Sequence, residues 1–386
     1  MVRASINPKL LRWARERAKM EQEALARRFK KLPQWETGHV QPTFKQLEDF
    51  ARAVHVPLGY MFLSEPPDET VPIPDFRTFA GQSVTRPSPH LLDTIYDCQE
   101  RQDWYRDFAR NSGAPRLDFV GSASLEDHSV TVATRIRTRL GVDLPAQGKH
   151  PQTRELLQSI VRRADESGIL VMVSGIVKSN THRPLDPAEF CGFALCDPYA
   201  PLIFINGKNS KSAQLFTLAH ELGHIWLGKS ALSNTEKLPK KGSRDEEVWC
   251  NAVATEFLVP METFRSMLRQ DEPLAEAMTR LARTFNVTTS VILRRLLDAE
   301  WLTQERYESA CAQERNEVRE VFKSSNSDGT SFLYRLTVAR VGKRFTRELI
   351  VSTLEGQTLF RDAFRMLGIV RSEAFNKLGR EIGVMK

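Results

Sequence analysis

Two histidines and a glutamate, placed as His220-Glu221-Leu222-Gly223-His224, form the arrangement in this sequence that is best suited to chemistry. Residues four apart lie on the same face of an α-helix, so His220 and His224 can direct ring nitrogens at one divalent metal ion. Glu221 then lies beside the open position of that ion, where a general base is needed. The motif therefore predicts His220 and His224 as metal ligands, Zn²⁺ as the cofactor and Glu221 as the catalytic base.

The same stretch contains a second motif, because residues 223–230 fit G-x-x-x-x-G-K-S, the pattern of a phosphate-binding loop. Such a loop needs small residues that let backbone N–H groups surround the phosphates, and a long helix follows it. Here three of the four variable positions hold Ile225, Trp226 and Leu227, and Pro239 interrupts the segment that should be helical. We interpret this match as coincidence and expect no nucleotide cofactor.

The helix predicted around the first motif is apolar nearly all round, with Leu215, Leu218, Ala219, Leu222 and Ile225 among its residues. Burying histidines and a glutamate in such a helix costs free energy unless a partner compensates for the lost hydration, and a divalent metal ion can do so. The alternative is a core helix whose two histidines are hydrogen-bonded and hold no metal.

A third ligand is expected from the acidic helix that follows, at residues 245–260. The third histidine typical of metzincins is missing, and a two-histidine site draws a glutamate from such a helix. Glu247 is the predicted ligand, with Glu246 and Glu256 as alternatives. Asn251, one turn after Glu247, is predicted to orient a ligand histidine from behind.

The elements that must position these residues suggest an α+β protein that is predominantly α. Residues 1–63 form a helical domain, and 64–89 form a linker with six prolines, which excludes helix over most of its length. Residues 90–150 are helical with no assigned role, and 301–386 form a basic C-terminal region. The metal motif falls in 151–300, whose apolar runs Ile169–Val173, Phe190–Cys196 and Leu202–Ile205 predict a small sheet.

Composition points to a cytoplasmic protein that does not contact membranes. The five cysteines of the 386 residues include no C-x-x-C pair, and the longest apolar run, Gly168–Val177, is too short to span a bilayer. The formal charge of +7 is concentrated at the ends: residues 1–63 carry 12 Lys and Arg against 6 Asp and Glu, and 324–386 carry 11 against 6. In the tail, Arg340, Lys343, Arg344 and Arg347 suggest an acidic partner.

The sequence resembles the ImmA/IrrE family of bacterial zinc peptidases. The resemblance is close from about residue 165 to 300 and also includes PIPDFRT at 72–78. It rests on HELGH with its following Trp-Leu-Gly, on the upstream strand PLIFIN and on E-x-x-C-N-x-x-A-x-x-F-L-V-P from Glu247 to Pro260. In this family the first glutamate of that downstream run is the third ligand, here Glu247. The resemblance also implies site-specific cleavage of repressors of the lambda-Cro-like type, which switches on stress or mobile-element genes.

The N-terminal segment resembles the helix-turn-helix of such repressors. The second helix corresponds to Gln22–Ala26, the turn after the third to Trp35–Gly38, and the fourth helix to PTFKQLEDFA. Leu25 and Trp35 are ten positions apart instead of about fourteen, so the recognition helix that would enter the DNA major groove is shorter by about one turn. The cations that remain to contact DNA phosphates are Arg27, Arg28, Lys30 and Lys31. The alternative is a domain for docking a partner or for dimerisation.

These observations lead to a main hypothesis and a competing one. The main hypothesis is a zinc endopeptidase that cleaves a protein substrate lying extended along Leu202–Ile205, with Glu221 as the group that transfers the proton. His182 and Tyr199 lie in the same domain, and neither is assigned as the donor to the oxyanion. The competing hypothesis is a DNA-binding regulator in which the zinc domain senses metal or a partner. An adaptor with a dead site is disfavoured, because a purely structural site needs no base such as Glu221.

Overall fold

The computed structural model describes residues 3–75, 87–142, 152–234, 245–269, 271–321 and 333–385. Parts of the predicted linker, of the 90–150 segment and of the C-terminal region lie outside these residues. The chain divides into two compact units, one formed by Met1–Pro72 with Ser83–Tyr96 and the other by Ile73–Gln82 with Asp97–Lys386.

The first unit is built from short helices. They are α1 (Pro8–Arg17), α2 (Gln22–Ala26), α3 (Leu32–Glu36) and α4 (Phe44–Ala53), followed by a 3-10 helix at Leu58–Phe62. Thr43 begins α4 with a capping box, in which its hydroxyl accepts from the N–H of Gln46 at 3.3 Å while its own N–H donates to the Gln46 side chain. At five residues α3 is about 7.5 Å long, which agrees with the shortened helix expected from the sequence.

The second unit contains a small sheet surrounded by helices, so the predicted α+β class with predominant helix is confirmed. Its elements begin with α5 (Pro89–Asn111), whose first residues belong to the first unit, and continue with α6 (Ser129–Leu140), α7 (Thr153–Glu166), β1 (Leu170–Ser174), β2 (Gly192–Leu195), β3 (Leu202–Asn206), α8 (Lys211–Leu227), β4 (Ala231–Ser233) and α9 (Asp245–Leu258). The later helices are α10 (Met261–Ser266), α11 (Leu274–Phe285), α12 (Thr289–Asp298), α13 (Gln304–Val321), α14 (Leu333–Val341), α15 (Lys343–Leu354), α16 (Phe360–Leu367) and α17 (Ser372–Glu381).

The strands are ordered β1-β3-β2-β4. β3 pairs with β1 in parallel and with β2 antiparallel, and β2 pairs antiparallel with β4. All five residues of β3 are buried, as expected of a strand covered on both faces. The prediction that a substrate pairs with Leu202–Ile205 is therefore wrong, because both edges of β3 are already occupied by neighbouring strands.

Helix α8 carries the HELGH motif and has well-defined ends. Ser210 begins it by accepting a hydrogen bond from the N–H of Ala213 at 3.2 Å, and Gly228 ends it in the left-handed conformation with φ 69°. The segment from Gly223 to Leu227 is thus helical and Gly228 is a C-cap, so no phosphate-binding loop exists here. Apart from its first two residues the whole helix is buried.

The C-terminal helices pack within the second unit through two of the basic residues that had suggested an acidic partner. The Arg340 guanidinium donates to the carbonyl of Lys178 at 2.8 Å, and Arg344 donates through Nε to the Tyr105 hydroxyl at 2.6 Å. Those two side chains are therefore used internally, which corrects the prediction for them. Lys343 and Arg347 remain exposed.

Candidate metal centre

Helices α8 and α9 bring the three predicted ligands together. His224 Nε2 lies 3.1 Å from His220 Nε2 and 3.1 Å from Glu247 Oε1, and His220 Nε2 lies 3.5 Å from Glu247 Oε2. One ligand atom from each of the three residues falls within 4.8 Å of the others. Both histidines are fully buried, and the Glu247 side chain is 14% exposed.

The close approach of the two helices depends on Gly223, between the two histidines. A Cβ added there would lie 3.3 Å from Cys250 Sγ and 3.4 Å from Cys250 Cα. The absence of a side chain at Gly223 therefore lets α9 come near enough for Glu247 to reach both imidazoles.

Asn251 holds one of the histidines from the side away from Glu247. Its Oδ1 lies 3.0 Å from His220 Nδ1, and because an amide oxygen only accepts, Nδ1 carries the proton. The lone pair of His220 is then left on Nε2, the atom that faces Glu247. This is the arrangement by which a neighbour orients a metal-ligating histidine.

The other two acidic candidates have partners elsewhere. Glu246 accepts from Lys229 Nζ at 2.6 Å. Glu256 is buried against the guanidinium of Arg295, which also donates through Nε to the carbonyl of Val259 at 2.8 Å. Neither joins the group of His220, His224 and Glu247.

Glu221 lies fully buried beside this group without being part of it. Neither of its carboxylate oxygens has a hydrogen-bond partner among the described residues. Burial raises the pKa of Glu221 to about 8, with a further rise from Glu247, while His220 and the nearby hydroxyl of Ser233 oppose this. A buried carboxyl with no fixed partner is poised to exchange a proton with a molecule that enters the site.

The remaining pKa values reflect how strongly the three ligands interact. Burial disfavours the charged form of Glu247, but the two histidines outweigh it and lower the pKa of Glu247 to about 2. His220 is also penalised by burial, yet Glu247 raises its pKa, whereas for His224 burial prevails and its pKa falls. Two imidazole nitrogens and a carboxylate oxygen are a donor set that suits Zn²⁺, and a cation here would offset two buried carboxylates. The residues therefore fit a metal ion.

Two residues beside Glu221 were missed from the sequence. Ser233 in β4 faces the carboxyl group of Glu221, and its register partner in β2 is Gly192. A Cβ at Gly192 would lie 2.6 Å from Thr217 Cγ2, 2.7 Å from the carbonyl oxygen of Phe204 and 3.5 Å from Glu221 Oε1. A glycine at the start of an apolar run is a sign of such a close approach.

The remaining candidates lie in other surroundings. His182 is exposed, and Tyr199 stacks with the guanidinium of Arg110, whose Cζ is 5.1 Å from the ring centroid. The four cations named in the first unit, Arg27, Arg28, Lys30 and Lys31, are all exposed. The last three of them line a surface cavity of about 410 Å³ together with Phe29, Trp35, Gln46 and Asp49.

Comparison with known proteins places this centre in a recognised domain. Residues 164–297 match a peptidase family model described as the IrrE N-terminal-like domain, and residues 341–381 match a domain of unknown function, DUF8813. The radiation response metalloprotease IrrE of Deinococcus radiodurans is 35% identical over 106 residues, covering 26% of this chain and 32% of that protein. The IrrE of Deinococcus deserti is 33% identical over 106 residues, covering 26% of this chain and 38% of that protein. The chain thus spans about a third of the length of the curated relatives it matches.

Within the part of the chain that the structure describes, no helix combines the length and the apolar character that crossing a membrane requires.

Proposed function

We propose that this chain is a zinc-dependent endopeptidase of the ImmA/IrrE family that cleaves a protein substrate. The match of residues 164–297 to the IrrE N-terminal-like domain and the similarity to two curated metalloproteases support this proposal. One observation carries the proposal. His220, His224 and Glu247 converge within 4.8 Å, and Glu221 lies beside them as a buried carboxyl that is not a ligand. A structural metal site needs ligands alone, whereas hydrolysis also needs a base.

In this proposal His220, His224 and Glu247 hold the ion, and Asn251 fixes the ring of His220. When bound, zinc supplies the positive charge that acidifies a water molecule, polarises the peptide carbonyl and lowers the pKa of Glu221. Glu221 accepts a proton from the water whose oxygen bonds to the carbonyl carbon. It then donates that proton to the amide nitrogen as the carbon–nitrogen bond breaks.

The proposed substrate is a repressor-type transcriptional regulator, whose cleavage would belong to a stress or mobile-element response. This part of the proposal rests on the family resemblance. The curated relatives are named as radiation response metalloproteases, which supports a role in a stress response.

The test is the metal content of purified wild type, Glu221→Gln and Glu247→Ala, measured by elemental analysis after zinc reconstitution, together with hydrolysis of fluorescein-labelled casein. We expect about one zinc per chain in the first two proteins and loss in the third. Hydrolysis should occur with wild type alone, because Glu221→Gln keeps the ligands and removes the base. Zinc in none of the three, or equal hydrolysis by Glu221→Gln, would overturn the proposal.

A second function is proposed for the first unit, namely DNA binding as part of a transcriptional regulator. The supporting observation is that Arg28, Lys30 and Lys31 are exposed around one cavity beside the short helix α3. Contacts of this kind go to phosphates and make affinity depend on salt. Changing all three to alanine should flatten the salt dependence of duplex DNA binding, with Lys45→Ala, which is exposed on α4, as the control. No salt-dependent binding by wild type would favour a protein-docking role.

A further inference from the structure

The outer edge of β4 is occupied by a short piece of the chain itself. On its inner side β4 pairs with β2, and the N–H of Cys191 donates to the carbonyl of Ser233 at 3.1 Å. On its outer side the N–H of Leu232 donates to the carbonyl of Pro74 at 3.0 Å, and Asp75 pairs with Leu232 as a parallel bridge. Since β4 has three residues, Leu232 is the one whose main-chain groups point outward.

This edge lies next to the proposed catalytic base. Gly192 is the register partner of Ser233, and a Cβ at Gly192 would approach Glu221 Oε1 to 3.5 Å. The carboxyl end of β4 is therefore beside the carboxyl group of Glu221. An extended peptide that follows the outer edge of β4 would pass the place where a peptide bond must lie to be cut.

The other strands do not offer such an edge. β3 is paired on both sides, as is β2. The outer strand β1 is approached by the C-terminal helices, since a Cβ at Gly342 would lie 3.1 Å from the carbonyl oxygen of Val171. Among the described strands, the outer edge of β4 is the one next to Glu221.

Prolines limit the main-chain hydrogen bonds that this segment can donate to the edge of β4. In an extended chain the N–H and C=O of one residue point to the same side, so Pro74, which has no N–H, lacks a donor towards β4. Pro72 likewise has none. The side chain of Ile73 is buried, at 8% exposed, and helps to anchor the segment. A peptide without proline at these positions could form hydrogen bonds that this segment cannot.

We propose that the outer edge of β4 is a binding site for an extended peptide, and that Ile73–Asp75 occupies it as an internal strap that must leave before a substrate can pair with Leu232. The inference rests on the proposed peptidase function, which it extends from the chemistry to substrate recognition and self-inhibition. Recognition by strand addition supplies affinity through the main chain. Occupation by the strap lowers the apparent affinity by the fraction of molecules in which the edge is free.

The experiment uses the full chain with the Glu221→Gln change, so that bound peptide is not cut. Ile73→Ser removes the buried anchor, and Ile73→Val is the matched control. The probe is a fluorescein-labelled peptide with the sequence of residues 69–75, and binding is followed by fluorescence anisotropy. Hydrogen exchange at the Leu232 amide is measured on the same proteins.

We expect Ile73→Ser to bind the probe at least tenfold more tightly than Ile73→Val or the Ile73 parent. The Leu232 amide should exchange faster in Ile73→Ser and slow again when the probe is added. Equal binding by all three proteins, or a Leu232 amide that stays protected in Ile73→Ser, would overturn the inference. A second variant that replaces residues 72–75 by Gly-Ser-Gly-Ser guards against a folding defect, and loss of the folded state in both would show the strap to be a fixed part of the fold.

Hydrolysis of labelled casein by the zinc-loaded chain with Glu221 intact separates this inference from the peptidase proposal. Faster hydrolysis by Ile73→Ser than by Ile73→Val supports both. If Ile73→Ser binds the probe more tightly but no protein hydrolyses casein, the edge of β4 is a peptide-binding site and the peptidase proposal is contradicted. If Ile73→Ser and Ile73→Val hydrolyse casein equally and bind the probe equally, the strap inference alone is contradicted.

Discussion

Gly223 on α8 and Cys250 on α9 are in such close contact that a Cβ on the glycine would lie 3.3 Å from the cysteine Sγ. This contact sets the distance between the helix that carries both histidines and the helix that carries Glu247. Gly223→Ala should therefore push the third ligand away from the other two.

We expect Gly223→Ala to weaken zinc binding by tenfold or more, the scale on which changes around a metal's ligands act. Zinc affinity can be measured by competition with a chromophoric chelator. Gly59→Ala adds the same methyl group where nothing lies within 4 Å and is the matched control. Unchanged affinity in Gly223→Ala would mean that the helices can separate without losing Glu247.

Asn251 should contribute to zinc affinity through the ring of His220. Asn251→Ala removes the acceptor 3.0 Å from His220 Nδ1 and should weaken zinc binding by about 10- to 100-fold. Asn251→Asp keeps an acceptor oxygen and should retain most of the affinity. If the alanine and aspartate variants bind zinc equally, the hydrogen bond to His220 has no orienting role.

The pair formed by Glu256 and Arg295 is buried, with the two side chains 6% and 7% exposed. Arg295→Met should lower the free energy of unfolding by about 3–5 kcal/mol, because it leaves the Glu256 carboxylate without its cation. The double change with Glu256→Gln should cost less than Arg295→Met alone. Urea unfolding at a fixed zinc concentration measures the free energy of unfolding of Arg295→Met, Glu256→Gln and the double variant. A loss in the double variant equal to the sum of the two single losses would contradict this account.

Asp165 should make stability depend on pH. Burial raises its pKa from 3.8 to about 6, against hydrogen bonds from the backbone N–H of Arg344 that lower it. Because the folded-state pKa is above the unfolded value, the stability linked to this group is fully present below about pH 4 and is lost as pH rises to about 6. The loss corresponds to about 3 kcal/mol.

Asp165→Asn cannot ionise, so its free energy of unfolding relative to wild type should increase by about that amount between pH 4 and pH 7. Urea unfolding at several pH values measures the difference. Asp118→Asn, whose side chain is 81% exposed in wild type, is the control. A difference for Asp165→Asn that is constant with pH would show that Asp165 ionises equally in both states.

The core of the site was predictable because it depends on local spacing. Helical periodicity places His220 and His224 on one face, and the acidic helix after them offered Glu247 and Asn251 one turn apart. The surroundings of Glu221 depend on strand pairing between distant segments, which periodicity does not reveal. β4 has only three residues, which is too short for an apolar run to predict a strand. Because β4 was not predicted, Ser233 was missed as well. The same limit led to the wrong assignment of β3 as the strand that binds substrate, since an apolar run does not show which strand is at an edge.

The spacing of His220, His224 and Glu247 would give a metal ion bound there a mechanical role in addition to the chemical role proposed above. Two ligands lie on α8 and the third follows 23 positions after His224 on α9, so an ion held by all three would act as a crosslink that closes the intervening chain into a ring. Any ligand that binds only the folded state adds to its stability, by about 2.7 kcal/mol at a free concentration 100 times Kd. The supply of zinc would then affect the free energy of unfolding as well as the proposed activity, and zinc depletion would lower both together.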